Sequence, residues 1–158
     1  FMVGYLTERY PGIVQMVDRA GMRIGNHSWA HPLEPPLADL DRPQMIEEIG
    51  RTSRRLFALG VRTRLFRPPG GSYDGAVVQE ARRQGMRIVT WSIDPIDWSE
   101  RTSARQIVQR VLRAVRPGSI VLLHDGGGDQ DATIRALPRI IHGIRRMGLR
   151  LVAIPGRA

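Results

Sequence analysis

The chain contains no cysteine and no lysine. Without cysteine there can be no disulfide, no thiolate metal site and no cysteine nucleophile, and the lack suits a cytoplasmic or an exported bacterial protein equally. All 24 basic residues are therefore arginine, a bias better explained by genomic base composition than by a task. Aromatics make up 6% of the chain, and none interleaves with the arginines as a base-stacking platform would require. The net charge of +9 is scattered over predicted helix faces (Arg54, Arg55, Arg82, Arg83, Arg113, Arg145, Arg146 among others). It reads as a solvated surface that tolerates envelope polyanions, with no nucleic-acid partner expected. No apolar run approaches the ~18 residues that span a bilayer, and no basic-then-apolar start marks a signal peptide. Because the first residue is Phe1 and not Met, the chain is expected to be a fragment of a longer product.

What is present is the pattern of a globular domain: 158 residues, 42% hydrophobic and 25% charged, enough for one ordinary core. Apolar recurrence predicts helices over 7–20, from an Asp41 cap with Pro43 in the first turn to Leu59, from Asp74 to Gln84, from a Ser103 cap to Val115, and over 132–147. Gly21, Gly60, Gly85, Pro117-Gly118 and Gly148 act as stops. Strands are expected at 22–25, 86–93, 119–123 and 149–154, with Leu65-Phe66 leading into a loop. Alternating strands and helices, with nearly continuous apolar strands, predict an α/β fold built on a parallel sheet or barrel.

Two histidines, His27 and His31, stand four residues apart in Asn26-His27-Ser28-Trp29-Ala30-His31-Pro32. A helical turn or a tight loop of that length points both imidazoles one way and forms half of a metal's coordination shell. Loop histidines that merely cap backbone groups would give the same spacing. Further along, Arg67, Asp97 and His124 each follow the end of a predicted strand, as His27 does. That is the rim where α/β folds build their sites. A metal would activate water and polarise a carbonyl. His124 would protonate a leaving group, with Asp97 holding its other nitrogen and raising its pKa. Arg67 would orient a carboxylate through a fork-shaped pair, and Gly70-Gly71 would let backbone N–H groups approach an oxyanion. Taken singly, each has a plainer explanation: Arg67 as a bridge between loop carbonyls, Asp97 as a turn cap, Trp98 as core. Together they describe metal-assisted hydrolysis of an amide or ester.

In their order along the chain these motifs resemble the polysaccharide deacetylase family, the NodB-homology domain of carbohydrate esterases. His27-Ser28-Trp29-Ala30-His31 is similar to its His-Ser/Thr-x-x-His metal motif. Arg67-Pro68-Pro69 is similar to its Arg-x-Pro loop, Asp94-Pro95-Ile96-Asp97-Trp98 to its Asp-x-x-Asp-Trp motif, and Leu122-Leu123-His124 to its Leu-x-His motif. The resemblance spans essentially the whole chain. It implies a distorted (β/α) barrel of fewer than eight strands, with His27 and His31 as ligands of a divalent metal, typically zinc and in some members cobalt. His124, Asp97 and Arg67 form the implied catalytic set. Trp98, Leu122, Gly70 and Tyr73 line the substrate groove, and Ser28 braces the metal loop.

Two departures stand out. Gly70 occupies a position where the family often has Tyr, and Tyr73 follows three residues later. Nothing in the chain resembles the Thr-Phe-Asp-Asp-Gly stretch that supplies the family's catalytic base and third metal ligand. Phe1-Met2-Val3-Gly4 resembles the second strand, so the chain is expected to be an N-terminally incomplete catalytic domain whose third ligand, an aspartate, lies upstream of Phe1. That aspartate would belong to the same chain or to a short N-terminal fragment bound to it. The implied activity is removal of acetyl groups from N-acetylglucosamine polymers such as peptidoglycan or chitin, in the cell envelope or outside the cell. The alternatives are an O-deacetylase such as an acetylxylan esterase, or a catalytically dead glycan-binding remnant.

Overall fold

In the computed structural model, which describes residues 1–155, the chain divides into two compact units: Phe1–Thr90, joined by the residues from Ala153, and Trp91–Val152. In the first unit the backbone passes side by side in chain order. Met2 bridges Asn26, Asn26 bridges Phe66, and β1 (Leu65–Phe66) pairs with β2 (Arg87–Ile88), all parallel. The N–H of Asn26 donates to the Leu65 carbonyl at 2.8 Å, and the N–H of Arg67 donates to the Asn26 carbonyl at 2.9 Å. This ladder puts His27 and Arg67 next to each other, one residue beyond the pairing on each strand.

Helices α1 (Gly4–Arg9), α2 (Pro11–Arg19), α3 (Arg42–Ala58) and α4 (Gly75–Arg83) pack around this layer. The helix expected over 7–20 begins earlier and breaks at Tyr10, where Pro11 can start a helix but cannot donate within one. The two following helices start as predicted. The Asp41 carboxylate accepts from the N–H of Gln44 at 2.8 Å and that of Asp74 from Val77 at 2.9 Å, each satisfying an otherwise unpaired donor. One apolar cluster joins Leu37, Met45, Ile49, Phe66, Val77, Ala81 and Met86; another joins Val14, Ile24, Leu56 and Val61.

The second unit is a helix pair over one parallel bridge, Ile93 to Val121. Helix α5 (Ala104–Ala114) begins with a reciprocal cap between Ser103 and Gln106. It packs on α6 (Asp131–Arg146) through Ile107, Val111, Ala136, Ile140 and Ile144, a stripe of helical period.

The expected strands are much shorter in the structure. At 22–25 the carbonyl of Ile24 accepts from the Thr63 hydroxyl at 2.6 Å, so a side chain takes the place of a ladder donor. Within 119–123 the N–H of Ile120 donates to the Ser92 hydroxyl at 3.0 Å. Pairing over 86–93 is confined to β2 and the bridge at Ile93, and 149–154 forms no strand among the described residues. Hydroxyls flanking the ladders compete for the same backbone groups.

The helix faces differ sharply in what they contribute. Ile107 is fully buried and Ile134 is 66% exposed. Ile107→Ala should lower stability by about 2–5 kcal/mol through lost burial and a cavity, whereas Ile134→Ala should stay within about 0.5 kcal/mol, both read by urea denaturation.

Candidate active site

Asn26 anchors the histidine loop. Its fully buried side chain donates to the Ile49 carbonyl and the Ser53 hydroxyl, both at 2.9 Å, and accepts from the N–H of Ser28 at 2.9 Å. Ser28 and His31 both adopt left-handed backbone, with φ of +61° and +57°, a conformation that costs L-residues about 1–2 kcal/mol each unless the surroundings hold it. The buried Ser28 hydroxyl accepts from the N–H of His31 at 3.1 Å and closes the loop between them. The pair therefore sits on a tight loop, and the two ring centroids lie 4.7 Å apart.

His27 is set up to ligate. Its Nδ1 lies 2.5 Å from the Arg67 carbonyl. A carbonyl only accepts, so the proton is on Nδ1 and the lone pair on Nε2. Burial lowers its pKa from 6.5 to about 3, against the opposing pull of that carbonyl, and nearby His31 pushes it the same way as burial. A neutral imidazole with a free nitrogen is what a divalent cation needs. His27 and His31 thus fit two positions of a metal shell. Among the described residues no group of three His, Cys, Asp or Glu side chains could hold a metal ion.

Arg67 is buried, and burial lowers its pKa. Its guanidinium donates to the carbonyls of Val89 at 3.2 Å and Thr90 at 3.4 Å and lies 4.1 Å from the Phe1 ring centroid. These contacts match the plainer reading of a loop bridge. Gly70 is exposed at φ +59° in a 3-10 turn (Pro69–Gly71), and Tyr73, three residues after Gly70, is 49% exposed.

In the second unit the Asp97 carboxylate is buried and fully engaged. Oδ1 accepts from Nδ1 of His124 at 2.8 Å, while Oδ2 accepts from the N–H of His124 at 2.7 Å and from the Thr133 hydroxyl at 3.0 Å. Ile96 holds φ +60° just before it, an unusual state for a β-branched residue; its N–H donates to the Asp94 carboxylate at 2.7 Å. Burial acts to raise the Asp97 pKa, but the hydrogen bonds from His124 and Thr133 outweigh it and hold the carboxyl below its ordinary 3.8. The same hydrogen bond raises His124 above its ordinary 6.5, against burial. With Nδ1 on a carboxylate, Nε2 is the ring nitrogen left for other contacts. Trp98 is 59% exposed, its indole N–H on the Asp94 carboxylate at 3.4 Å, so it is not core; Leu122 is buried.

The structure brings together His27, His31 and Arg67 in one unit, and Asp97 with His124 in the other. Sequence reasoning did not single out Thr133, whose position inside α6 gives no local signal. Asn26 precedes the histidine motif, and nothing in its sequence position signals the three hydrogen bonds its side chain makes.

A family model described as polysaccharide deacetylase matches residues 1–89. The peptidoglycan-N-acetylglucosamine deacetylase of Bacillus cereus is 35% identical over 157 residues, covering 98% of this chain and 71% of that protein. Among solved structures, a family 4 carbohydrate esterase from Streptomyces lividans, in complex with acetate, is 33% identical with a TM-score of 0.88, covering 100% of this chain and 80% of that one. A family 4 pseudoenzyme from Bacillus anthracis is 29% identical with a TM-score of 0.88; the match covers 96% of this chain, which spans about half of that protein, 52%.

The opposed shifts of Asp97 and His124 define a pH window. A raised histidine adds stability that is complete below 6.5 and is lost as pH rises through its raised value. A depressed carboxyl adds stability present above 3.8 and lost as pH falls through its lowered value. The pair contributes most between those values. In an NMR titration His124 should titrate above 6.5, and Asp97→Asn should shift that midpoint clearly downward. An unmoved midpoint would refute the coupling.

Proposed function

The chain belongs to the polysaccharide deacetylase family, and we propose that it contributes to hydrolytic removal of acetyl groups from N-acetylglucosamine-containing polysaccharide, peptidoglycan or a chitin-like polymer. Its α/β fold is the one shared with the solved family 4 esterases, and members of this family generally depend on a divalent metal. The observation that carries the proposal is the contrast between two histidines. One is held toward its neutral form by burial with Nε2 left for a metal, and the other is shifted toward its protonated form by a buried carboxylate. Environments that push two groups of one kind in opposite directions suit them to different tasks.

In this reading His27 and His31 would hold a divalent cation, most readily zinc, with an aspartate from a Thr-Phe-Asp-Asp-Gly-like stretch upstream of Phe1 as third ligand, and that cation would supply Lewis-acid polarisation of the acetyl carbonyl. His27 offers Nε2 because the Arg67 carbonyl occupies Nδ1. His124 gives its Nε2 proton to the departing amine nitrogen of the sugar, and Asp97 stabilises the imidazolium before transfer. Arg67 positions the catalytic base. The exposed ring of Trp98 offers a flat apolar face to a sugar, Leu122 an apolar wall to the acetyl methyl, and the Gly70–Tyr73 loop a further contact for the polymer. Residues 1–158 act as the catalytic domain, in the cell envelope or outside the cell. No helix among the described residues is long and apolar enough to cross a membrane.

One observation favours a second reading: one structural relative is a pseudoenzyme. A glycan-binding remnant would bind N-acetylglucosamine oligomers and release nothing. The test is acetate release from those oligomers and from acetylated xylan, with zinc or cobalt supplied, with and without a peptide carrying the Thr-Phe-Asp-Asp-Gly stretch. Release from the oligomers, increased by the peptide, is expected. His124→Ala should retain the metal and lose about 10²-fold or more in turnover, and His27→Ala should lose the metal. Normal turnover by His124→Ala would overturn the acid assignment, and binding without release under every condition would favour the remnant.

A further inference from the structure

The loop that carries both histidines is held from one side by α3, through a carboxylate that no step above uses. Oε2 of Glu48 accepts from the N–H of Trp29 at 3.0 Å and from the N–H of Ala30 at 2.8 Å. These two residues lie between Ser28 and His31, the pair forced into left-handed backbone. Successive N–H groups turned toward one oxygen form a nest, a backbone shape that requires an anion or strong acceptor at its centre. The rest of the clamp also comes from α3. The Ile49 carbonyl and Ser53 hydroxyl hold Asn26, and the Arg51 guanidinium lies 3.7 Å from the Trp29 ring centroid. Gly4 leaves room for the Trp29 side chain beside α3: a Cβ there would stand 2.5 Å from the Trp29 ring and 2.4 Å from the Thr52 hydroxyl.

We propose that Glu48 is a positioning residue for the metal pair, its carboxylate fixing the backbone between His27 and His31 and hence the separation of the two imidazoles. This rests on the reading of His27 and His31 as ligands. The physical reason is that a bidentate pair binds tightly only if both rings are already placed. A loop with two left-handed residues relaxes once its acceptor is removed, and the lost preorganisation appears as weaker binding. Both bonds run to a single oxygen, so glutamine keeps an acceptor in reach but loses the charge that strengthens it. Alanine loses both. Glu47, its neighbour, pairs with Arg54 on the exposed face, so Glu47→Ala removes the same charge without touching the loop.

The experiment is Zn(II) titration by calorimetry of the wild-type chain and of Glu48→Ala, Glu48→Gln and Glu47→Ala, with hydrogen exchange of the Trp29 and Ala30 amides and thermal unfolding measured alongside. Glu48→Ala should weaken Zn(II) binding by about 10–100-fold, and Glu48→Gln by less. Glu47→Ala should bind as wild type does. The two amides should lose protection in Glu48→Ala while the helical signal is retained. Equal affinity of wild type and Glu48→Ala would overturn the role of Glu48 and leave the ligand assignment standing. So would an equal loss in Glu47→Ala, which would mark a bulk charge effect, or a loss seen only together with unfolding. A wild-type chain that takes up no Zn(II), with or without the Thr-Phe-Asp-Asp-Gly peptide, would defeat the ligand assignment itself.

Discussion

The hydrogen bond from Nδ1 of His27 to the carbonyl of Arg67 joins two loops that lie far apart in sequence. It forms because the parallel ladder carries Asn26 and Phe66 side by side and so delivers the next residue of each strand to the same place. It also decides the chemistry of the ring. A carbonyl acceptor selects one tautomer, burial keeps that tautomer neutral, and the remaining nitrogen is left for a cation. The buried amide of Asn26 supports this from below by satisfying three partners at once, an arrangement that tolerates little displacement.

His124 is treated by the same logic with the opposite sign. Its Nδ1 also meets an acceptor, but the acceptor is an ionised carboxylate, itself fixed by a backbone N–H and the hydroxyl of Thr133. A neutral acceptor and burial favour the neutral form of His27; a charged acceptor favours the protonated form of His124. Two residues of one type are shifted in opposite directions by their surroundings.

The parts of the fold carried by local chemistry were legible in the sequence. Caps at Asp41 and Ser103, the helix start at Asp74 and the glycine stops fell within a residue of where the structure places them, because a cap is a bond between near neighbours. Strand lengths were not legible. They depend on whether Thr63 and Ser92 use their hydroxyls on ladder groups supplied by distant segments, which no run of apolar residues reveals. The break at Tyr10 was signalled by Pro11 and passed over. At the site, the histidine, arginine and aspartate motifs were recognisable by type and order. Glu48 and Thr133 were not, since each is an ordinary helix residue until the loop it holds has folded against it.

The central claim is that both histidines carry their proton on Nδ1 and present Nε2. The direct measurement is a long-range proton–nitrogen NMR correlation of the imidazole rings, taken at a pH above the titration of His124. The account predicts Nδ1–H rings for both His27 and His124, with unprotonated Nε2. An Nε2–H tautomer would contradict it: at His27 the ring would turn a bound proton, and no lone pair, toward the cation, and at His124 Nδ1 would have no proton to donate to the Asp97 carboxylate.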